Sequence, residues 1–312
     1  MNKTNAKIKI GISSCLLGNK VRFDANHKEH RYITRELGKR FDFIPVCPEM
    51  AVGLGVPRTP IHLIGDEQTQ RAVNIKNEAI DVTQSLVDFG KSKGRELTDI
   101  SGYIFKKGSP SCGLYGVKIY KTPDRVIYSG TGVYAKQIIE ANPLLPVEEE
   151  GRLNDMLLRA NFLQRVEIYH DWQQLIANGL TRKSLIKFHT QHKFLVLAHC
   201  EITYRNIGKL VGEIGNSSLE QAANQYIEML MTGLQKPTTR GKHTNVLQHL
   251  LGYFKNYLDK HDKTEMSRLL EDYRNGQLPR VVVVTMLKHY LRKFPSNYIQ
   301  QQSYLNFCYS DI

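Results

Sequence analysis

Three short apolar runs, each leading into a cysteine, constrain the fold of this chain more than any other feature. Residues 7–13 (KIKIGIS) lead to Cys15, residues 42–46 (DFIPV) to Cys47, and residues 101–105 (SGYIF) to a Gly/Ser/Pro loop carrying Cys112. Their β-branched and aromatic content predicts strands. Between them, residues 27–39 and 72–92 place apolar side chains at helical spacing, with Ile75, Ala79, Val82, Leu86 and Phe89 in the second stretch. Strand–helix–strand alternation predicts an α/β domain, Rossmann-like, with a mainly parallel sheet and flanking helices. Ligands of such sheets bind beyond the carboxyl ends of the strands. Three cysteines far apart in sequence can therefore meet at one sheet edge, whereas Cys200 and Cys308 lack that setting and read as structural.

After Pro143–Leu144–Leu145–Pro146 and the acidic Glu148–Glu149–Glu150 the texture changes. Helical patterns cover 154–177, 181–200, 219–234, 244–261, 263–275 and 281–294, with 281–284 open to a short strand instead. They are broken at Gly179, Gly215, Pro237, Gly276–Pro279 and Pro295. This predicts two domains, 1–148 and a mainly α-helical C-terminal domain over 149–312.

Charge and cysteine usage narrow the setting. No run approaches the roughly 18–20 apolar residues that span a bilayer, and the first nine residues are polar and basic, without a signal-peptide stretch. The expectation is a cytoplasmic protein with no membrane partner; the sequence assigns no oligomeric state. Five cysteines, an odd number, do not suggest a secreted disulfide framework. The net charge is +13, with 22 Lys and Arg against 17 Asp and Glu through Glu150 and 21 against 13 beyond it. A basic excess of this size fits either a solubility role or a polyanionic partner.

The cysteine loops are rich in Gly, Pro and Ser, which leaves backbone N–H groups free to face a metal-bound sulfur. Any one of these cysteines could be a small buried residue, and a single nucleophilic cysteine with a distant histidine stays open. Zinc is disfavoured because no close Cys-x2-Cys pair exists. Three thiolates on a four-iron cube leave one iron open, and iron is thiophilic, so such a site suits a sulfur-containing substrate.

Ser13–Ser14–Cys15–Leu16–Leu17–Gly18 with Val21–Arg22–Phe23–Asp24, then VCPEMAVGLGVPR up to Arg58, then KKGSPSCG up to Gly113, and later Gly130–Thr131–Gly132–Val133–Tyr134–Ala135, resemble the thiouracil desulfidase family in order and spacing. The resemblance covers residues 7–146. It implies that Cys15, Cys47 and Cys112 bind a [4Fe–4S] cluster, that the open iron takes the thiocarbonyl sulfur, and that Glu49 and Ser109 handle protons. Ser14, Arg22, Asp24, Arg58 and Ser111 are candidate substrate contacts. The implied reaction is hydrolytic: water adds to the carbon bearing sulfur, C=S becomes C=O, and sulfide leaves. Similar proteins commonly carry Tyr-Asp-Gly where this chain has Phe23–Asp24–Ala25.

Residues from 151 onward resemble a helical domain of long-unassigned function found fused to this desulfidase domain, through HKFLVLAH (192–199), RGKHTNVLQHLLGYF (240–254) and residues 298–309. Two-domain proteins of this arrangement act on 4-thiouridine in tRNA, so the resemblance implies tRNA as the substrate and partner. Arg240, Lys242 and His243, ahead of a helix, are candidate RNA contacts. A desulfidase acting on free thiouracil or a thiouridine nucleotide, and an RNA-binding protein with a structural or redox-sensing metal site, remain alternatives.

Overall fold

The computed structural model describes residues 7–66, 68–122, 125–216 and 218–306, and divides the chain after Asp155. Cys308 lies outside the described residues. The first unit contains β1 (Ile8–Ser13), α1 (Arg31–Arg35), β2 (Phe41–Val46), α2 (Pro48–Ala51), β3 (Ile61–Ile64), β4 (Arg71–Asn74), α3 (Thr83–Glu96), β5 (Tyr103–Phe105), β6 (Val117–Thr122), β7 (Arg125–Gly130), α4 (Val133–Ala141) and β8 (Val147–Glu149).

One sheet runs β2-β1-β5-β8, with every neighbouring pair parallel. Its apolar content is buried on both faces, as a parallel sheet covered by helices requires; Ile10, Ile12, Tyr103, Ile104 and Phe105 are all fully buried. β1 is central, with β2 on one side and β5 on the other, so the chain leaving β1 faces the switch point where crevices open. All three predicted strands lie in this sheet.

A second sheet, β4-β3-β6-β7, is mixed: β3 pairs with β6 in parallel, and the outer pairs are antiparallel. The sequence reading did not foresee it, and the helix expected over 72–92 is corrected here. Residues 71–74 form a strand, and α3 begins only at Thr83. Three short polar side chains account for the difference. Asn74 Oδ1 accepts the Lys76 N–H at 2.9 Å, Asn77 Oδ1 the Ala79 N–H at 3.1 Å and Asp81 Oδ1 the Thr83 N–H at 2.8 Å. Such local bonds offer the backbone an alternative to helix, and they leave Ile75 and Ile80 about half exposed. Likewise, only Arg31–Arg35 and a short 3-10 turn at Leu37–Lys39 are helical within 27–39.

The second unit holds α5 (Met156–Ala177), α6 (Arg182–His199), α7 (Glu201–Gly212), α8 (Leu219–Gly233), α9 (Arg240–Gly252), α10 (Lys260–Arg274), α11 (Arg280–Lys293) and α12 (Asn297–Gln300). Thr181, Ser218, Thr239 and Asp259 cap α6, α8, α9 and α10 by accepting backbone N–H groups. The core includes Trp172, stacked on Tyr226 at 5.7 Å and edge-on to Phe188 at 5.5 Å. α7 was not anticipated, 281–284 is helical, and the 244–261 helix starts at Arg240 and ends at Gly252. No helix among the described residues is long and apolar enough to cross a membrane.

Candidate active site

Cys15 sits two residues beyond β1, in a 3-10 turn (Ser14–Leu17) that Gly18 closes at φ 91°, a left-handed conformation glycine adopts without cost. Cys47 follows β2 directly, and Pro48 opens α2 behind it. Cys112 lies in the loop after β5. Strand ends thus bring all three thiols to the wall of one cavity of about 380 Å³, with Ser14, Arg22, Glu49, Arg58, Ser109 and Ser111. Asp24 is not on that wall. It pairs with Arg22 Nε at 3.4 Å and accepts the Asn26 N–H at 3.2 Å.

Three loops are tied together around the cavity. Ser13 Oγ accepts the Lys106 N–H at 3.0 Å, joining the end of β1 to the Cys112 loop. Gly132 packs so closely on that loop that a Cβ there would stand 2.5 Å from the Ser111 carbonyl carbon and 2.7 Å from the Cys112 nitrogen. Glu149 Oε1 accepts the Leu114 N–H at 2.8 Å and the Tyr115 N–H at 3.3 Å. Glu150 pairs with Lys106 Nζ and accepts the Lys107 N–H at 2.6 Å.

The polar wall is a directed chain. Arg58 donates twice to Glu49 Oε2, from Nη2 at 2.6 Å and Nε at 3.1 Å. Its remaining donors meet the Gly55 carbonyl at 2.7 Å and the Val21 carbonyl at 3.1 Å. Glu49 Oε1 receives the Ser111 hydroxyl at 2.6 Å, and Ser111 Oγ lies 3.0 Å from Ser109 Oγ. A carboxylate only accepts, so Ser111 donates to Glu49 and Ser109 donates to Ser111. Ser109 Oγ in turn accepts the N–H groups of Ser111 and Cys112, at 3.3 and 3.2 Å. From sequence, Ser109 carried the proton role and Ser111 a substrate contact; the hydroxyl that touches Glu49 is Ser111.

The thiols resist ionising together. Burial pushes Cys15 up to about 11, with Lys106 opposing and Cys47 adding to the shift. Burial also raises Cys47, against the backbone N–H of Met50. Cys112 is raised furthest, again by burial, opposed by a hydrogen bond from Ser13. Three thiolates here call for positive charge in the cavity. Among the described residues no three His, Cys, Asp or Glu side chains come close enough to hold a single metal ion. Cysteine thiolates are the usual ligands of iron–sulfur clusters, and three cysteines on one cavity wall are a donor set that fits such a group.

In the second unit the RNA candidates separate. Arg240 is exposed. Lys242 is exposed, but its ammonium donates to the His199 carbonyl at 2.6 Å, at the end of α6. His243 is corrected: it is 8% exposed, with Nδ1 2.9 Å from the Tyr304 hydroxyl and Arg280 Nη1 3.3 Å from its ring nitrogens. It stands on the inward face of α9 with Val246 and Leu247, so it does not face a partner.

The fold and cavity define an α/β domain with a three-thiol pocket and a carboxylate–hydroxyl chain, followed by a helical unit. The chain belongs to the 2-thiouracil desulfurase family, whose model matches residues 10–150. Residues 193–308 match a second family, described as a protein of unknown function, DUF1722. The uncharacterized protein YbgA of Escherichia coli (strain K12) is 32% identical over 143 residues, 46% of this chain and 85% of that protein. The uncharacterized protein YbbK of Bacillus subtilis (strain 168) is 31% identical over 156 residues, 47% of this chain and 98% of that protein. A solved structure of the [4Fe-4S]-dependent thiouracil desulfidase TudS aligns with 49% of this chain and 97% of its own at 29% identity, with a TM-score of 0.38.

Proposed function

We propose that the protein is a [4Fe–4S]-dependent desulfidase that converts 4-thiouridine in tRNA to uridine. The observation that carries the desulfidase step is the meeting of Cys15, Cys47 and Cys112 in one cavity with the Arg58–Glu49–Ser111–Ser109 chain. Cys15, Cys47 and Cys112 would hold the cluster, which when bound supplies a thiophilic, Lewis-acidic iron with an open position.

The chain's own groups handle the proton. Arg58 holds Glu49 Oε2, so Oε1 is the oxygen left to face the cavity through Ser111. Glu49 takes a proton from water as its oxygen adds to the carbon bearing sulfur, either directly or through Ser111. The Ser109–Ser111 pair passes a proton back as the C–S bond breaks. One water is consumed, C=S becomes C=O, and hydrogen sulfide leaves with no change of oxidation state.

The tRNA step is supported by the basic excess after Glu150 and the exposed Arg240. Anaerobically reconstituted full-length protein should contain about four irons per chain and release sulfide from both free 4-thiouracil and thiolated tRNA. A colourless zinc-bound product would sink the cluster reading. Turnover of thiouracil with thiolated tRNA left intact would sink the tRNA reading alone.

A further inference from the structure

Besides its thiols and polar groups, the cavity wall carries Val21, Phe23, Pro60, Ile61 and Pro110. Phe23 is the one aromatic side chain on that wall among the described residues. It is also 37% exposed, whereas Tyr103, Phe105 and Tyr134 of the same unit are fully buried. A phenyl ring left this open forgoes hydrophobic stabilisation, and it recovers that stabilisation when a ligand covers it.

The backbone under this ring is fixed. The Phe23 carbonyl accepts the Arg58 N–H at 2.9 Å, and the Val21 carbonyl accepts from Arg58 Nη2 at 3.1 Å. Between these tethers Arg22 holds its guanidinium over the Phe23 ring, 5.2 Å from the centroid, with Asp24 Oδ1 3.4 Å from its Nε. The loop closes on itself through the Ala25 N–H to the Arg22 carbonyl at 3.0 Å and the Arg22 N–H to the Asn26 carbonyl at 3.2 Å. Arg58 is also the residue that holds Glu49 Oε2. The aromatic side chain and the proton-handling carboxylate therefore share one anchor, so a flat ring laid on Phe23 is placed in register with Glu49. Because the loop is already ordered, stacking on it costs little further conformational entropy.

A pyrimidine presents an edge of polar groups and two π-faces. The thiols and the carboxylate–hydroxyl chain suit its edge, and an aromatic side chain suits its face. We propose that Phe23 is the stacking platform for the thiobase, and that it makes the site selective for a planar, conjugated ring over other thiocarbonyl compounds. This rests on the desulfidase reading above. Stacking uses the π-face alone, so the phenyl ring serves here without the hydroxyl of the tyrosine common in similar proteins.

The test pairs each base with its 5,6-dihydro form, which keeps every C=S, C=O and N–H group but loses the flat, conjugated ring. The ratio of kcat/KM for 4-thiouracil to that for 5,6-dihydro-4-thiouracil is measured for the native holoenzyme, F23Y and F23L at equal iron content. Intrinsic reactivity of the two compounds cancels when this ratio is compared between proteins. The expected result is a ratio about tenfold lower in F23L and unchanged in F23Y. Equilibrium dialysis of uracil and of 5,6-dihydrouracil reads the same platform without turnover: the native protein and F23Y should prefer uracil, and F23L should not. Equal ratios and equal preferences in all three proteins, or F23Y behaving as F23L does, overturn the platform while leaving the desulfidase reading intact. Sulfur retained by both thio compounds, with a uracil preference that is still lost in F23L, overturns the desulfidase reading and leaves the platform standing.

Discussion

Ser111 Oγ and Glu49 Oε1 stand 2.6 Å apart, joining the loop after β5 to the first turn of α2 across 62 positions of sequence. With Arg58 occupying the other oxygen, Glu49 has one orientation, and its accessible lone pairs point along the serine pair. A proton-handling carboxylate works through a positioned partner, so Ser111→Ala should lower kcat by about 10²- to 10⁴-fold while iron content holds. Ser109→Ala should act on the same chain. The double variant should then lose little more than the worse single one, because groups that act as a unit are not additive. Steady-state turnover of thiouracil by the four proteins checks this; independent, multiplying losses would break the chain into separate roles.

Arg58 and Glu49 are a buried pair, with side chains 6% and 14% exposed. Removing one member strands the other, which costs about 3–5 kcal/mol. Arg58→Met should therefore lower unfolding stability by that order, and Arg58→Lys should recover only part of it, because one ammonium cannot reproduce the guanidinium's bonds to Glu49, Gly55 and Val21. Denaturant titration of the three proteins measures it. A Lys variant as stable as the native chain would mean that charge alone holds Glu49.

The departure at Phe23–Asp24–Ala25 has a structural consequence. Ala25 has φ 56°, the single positive-φ residue among the described non-glycines. A side chain there costs roughly 1–2 kcal/mol, at a position where similar proteins carry glycine. Ala25→Gly removes that clash but loosens the unfolded chain, which takes back part of the gain. The expected net result is about 1 kcal/mol of added stability, read as a higher thermal midpoint. A midpoint that falls would show that the turn carries no strain.

Much of the site was legible because strands that end in cysteines write the sheet edge directly into the sequence. The rest depended on contacts that no local pattern records. Glu148–Glu149–Glu150 stands in the sequence as an acidic run at a domain boundary, yet all three are under 10% exposed and close the sheet as β8 and its edge. Buried carboxylates need partners, and theirs are the Arg152 guanidinium and the loop amides and lysine around Cys112. Lys28 and Lys107, which line the cavity, were missed for the opposite reason: an exposed loop lysine looks like any other until its neighbours are known. His243 misled because a histidine just after basic residues at a helix start resembles a contact, while the phase of α9 turns it inward.

Gly132 separates packing from ligation. A methyl group there meets the Ser111–Cys112 peptide at 2.5–2.7 Å, against backbone that cannot step aside. Overpacking of this kind costs typically about 1–3 kcal/mol. Gly132→Ala should also displace Cys112, and so shorten the time over which the anaerobic protein keeps its iron after gel filtration. Iron retained at the native rate, with stability lowered, would confine the effect to packing.

The second unit should respond to acid through its buried histidines. His192 and His199 are each 3% exposed, and burial holds both near a pKa of about 4, with His189 adding to the first and Lys242, Arg165 and Arg280 adding to the second. His199 Nδ1 lies 2.8 Å from the Lys236 carbonyl oxygen, and its Nε2 lies 2.7 Å from Gln164 Oε1. The folded pKa lies below the ordinary 6.5, so as pH falls the unfolded chain binds protons first. Stability is therefore full above about pH 6.5, declines below it, and levels off near pH 4, with a loss on the order of 3 kcal/mol per histidine. Trp172 is the chain's single tryptophan and is buried in this unit. Its fluorescence during urea unfolding reports the second unit alone, and the midpoint should drop steadily as pH falls below about 6.5. His192→Gln and His199→Gln should each flatten that slope, whereas a slope unchanged in both would assign the acid sensitivity to other groups.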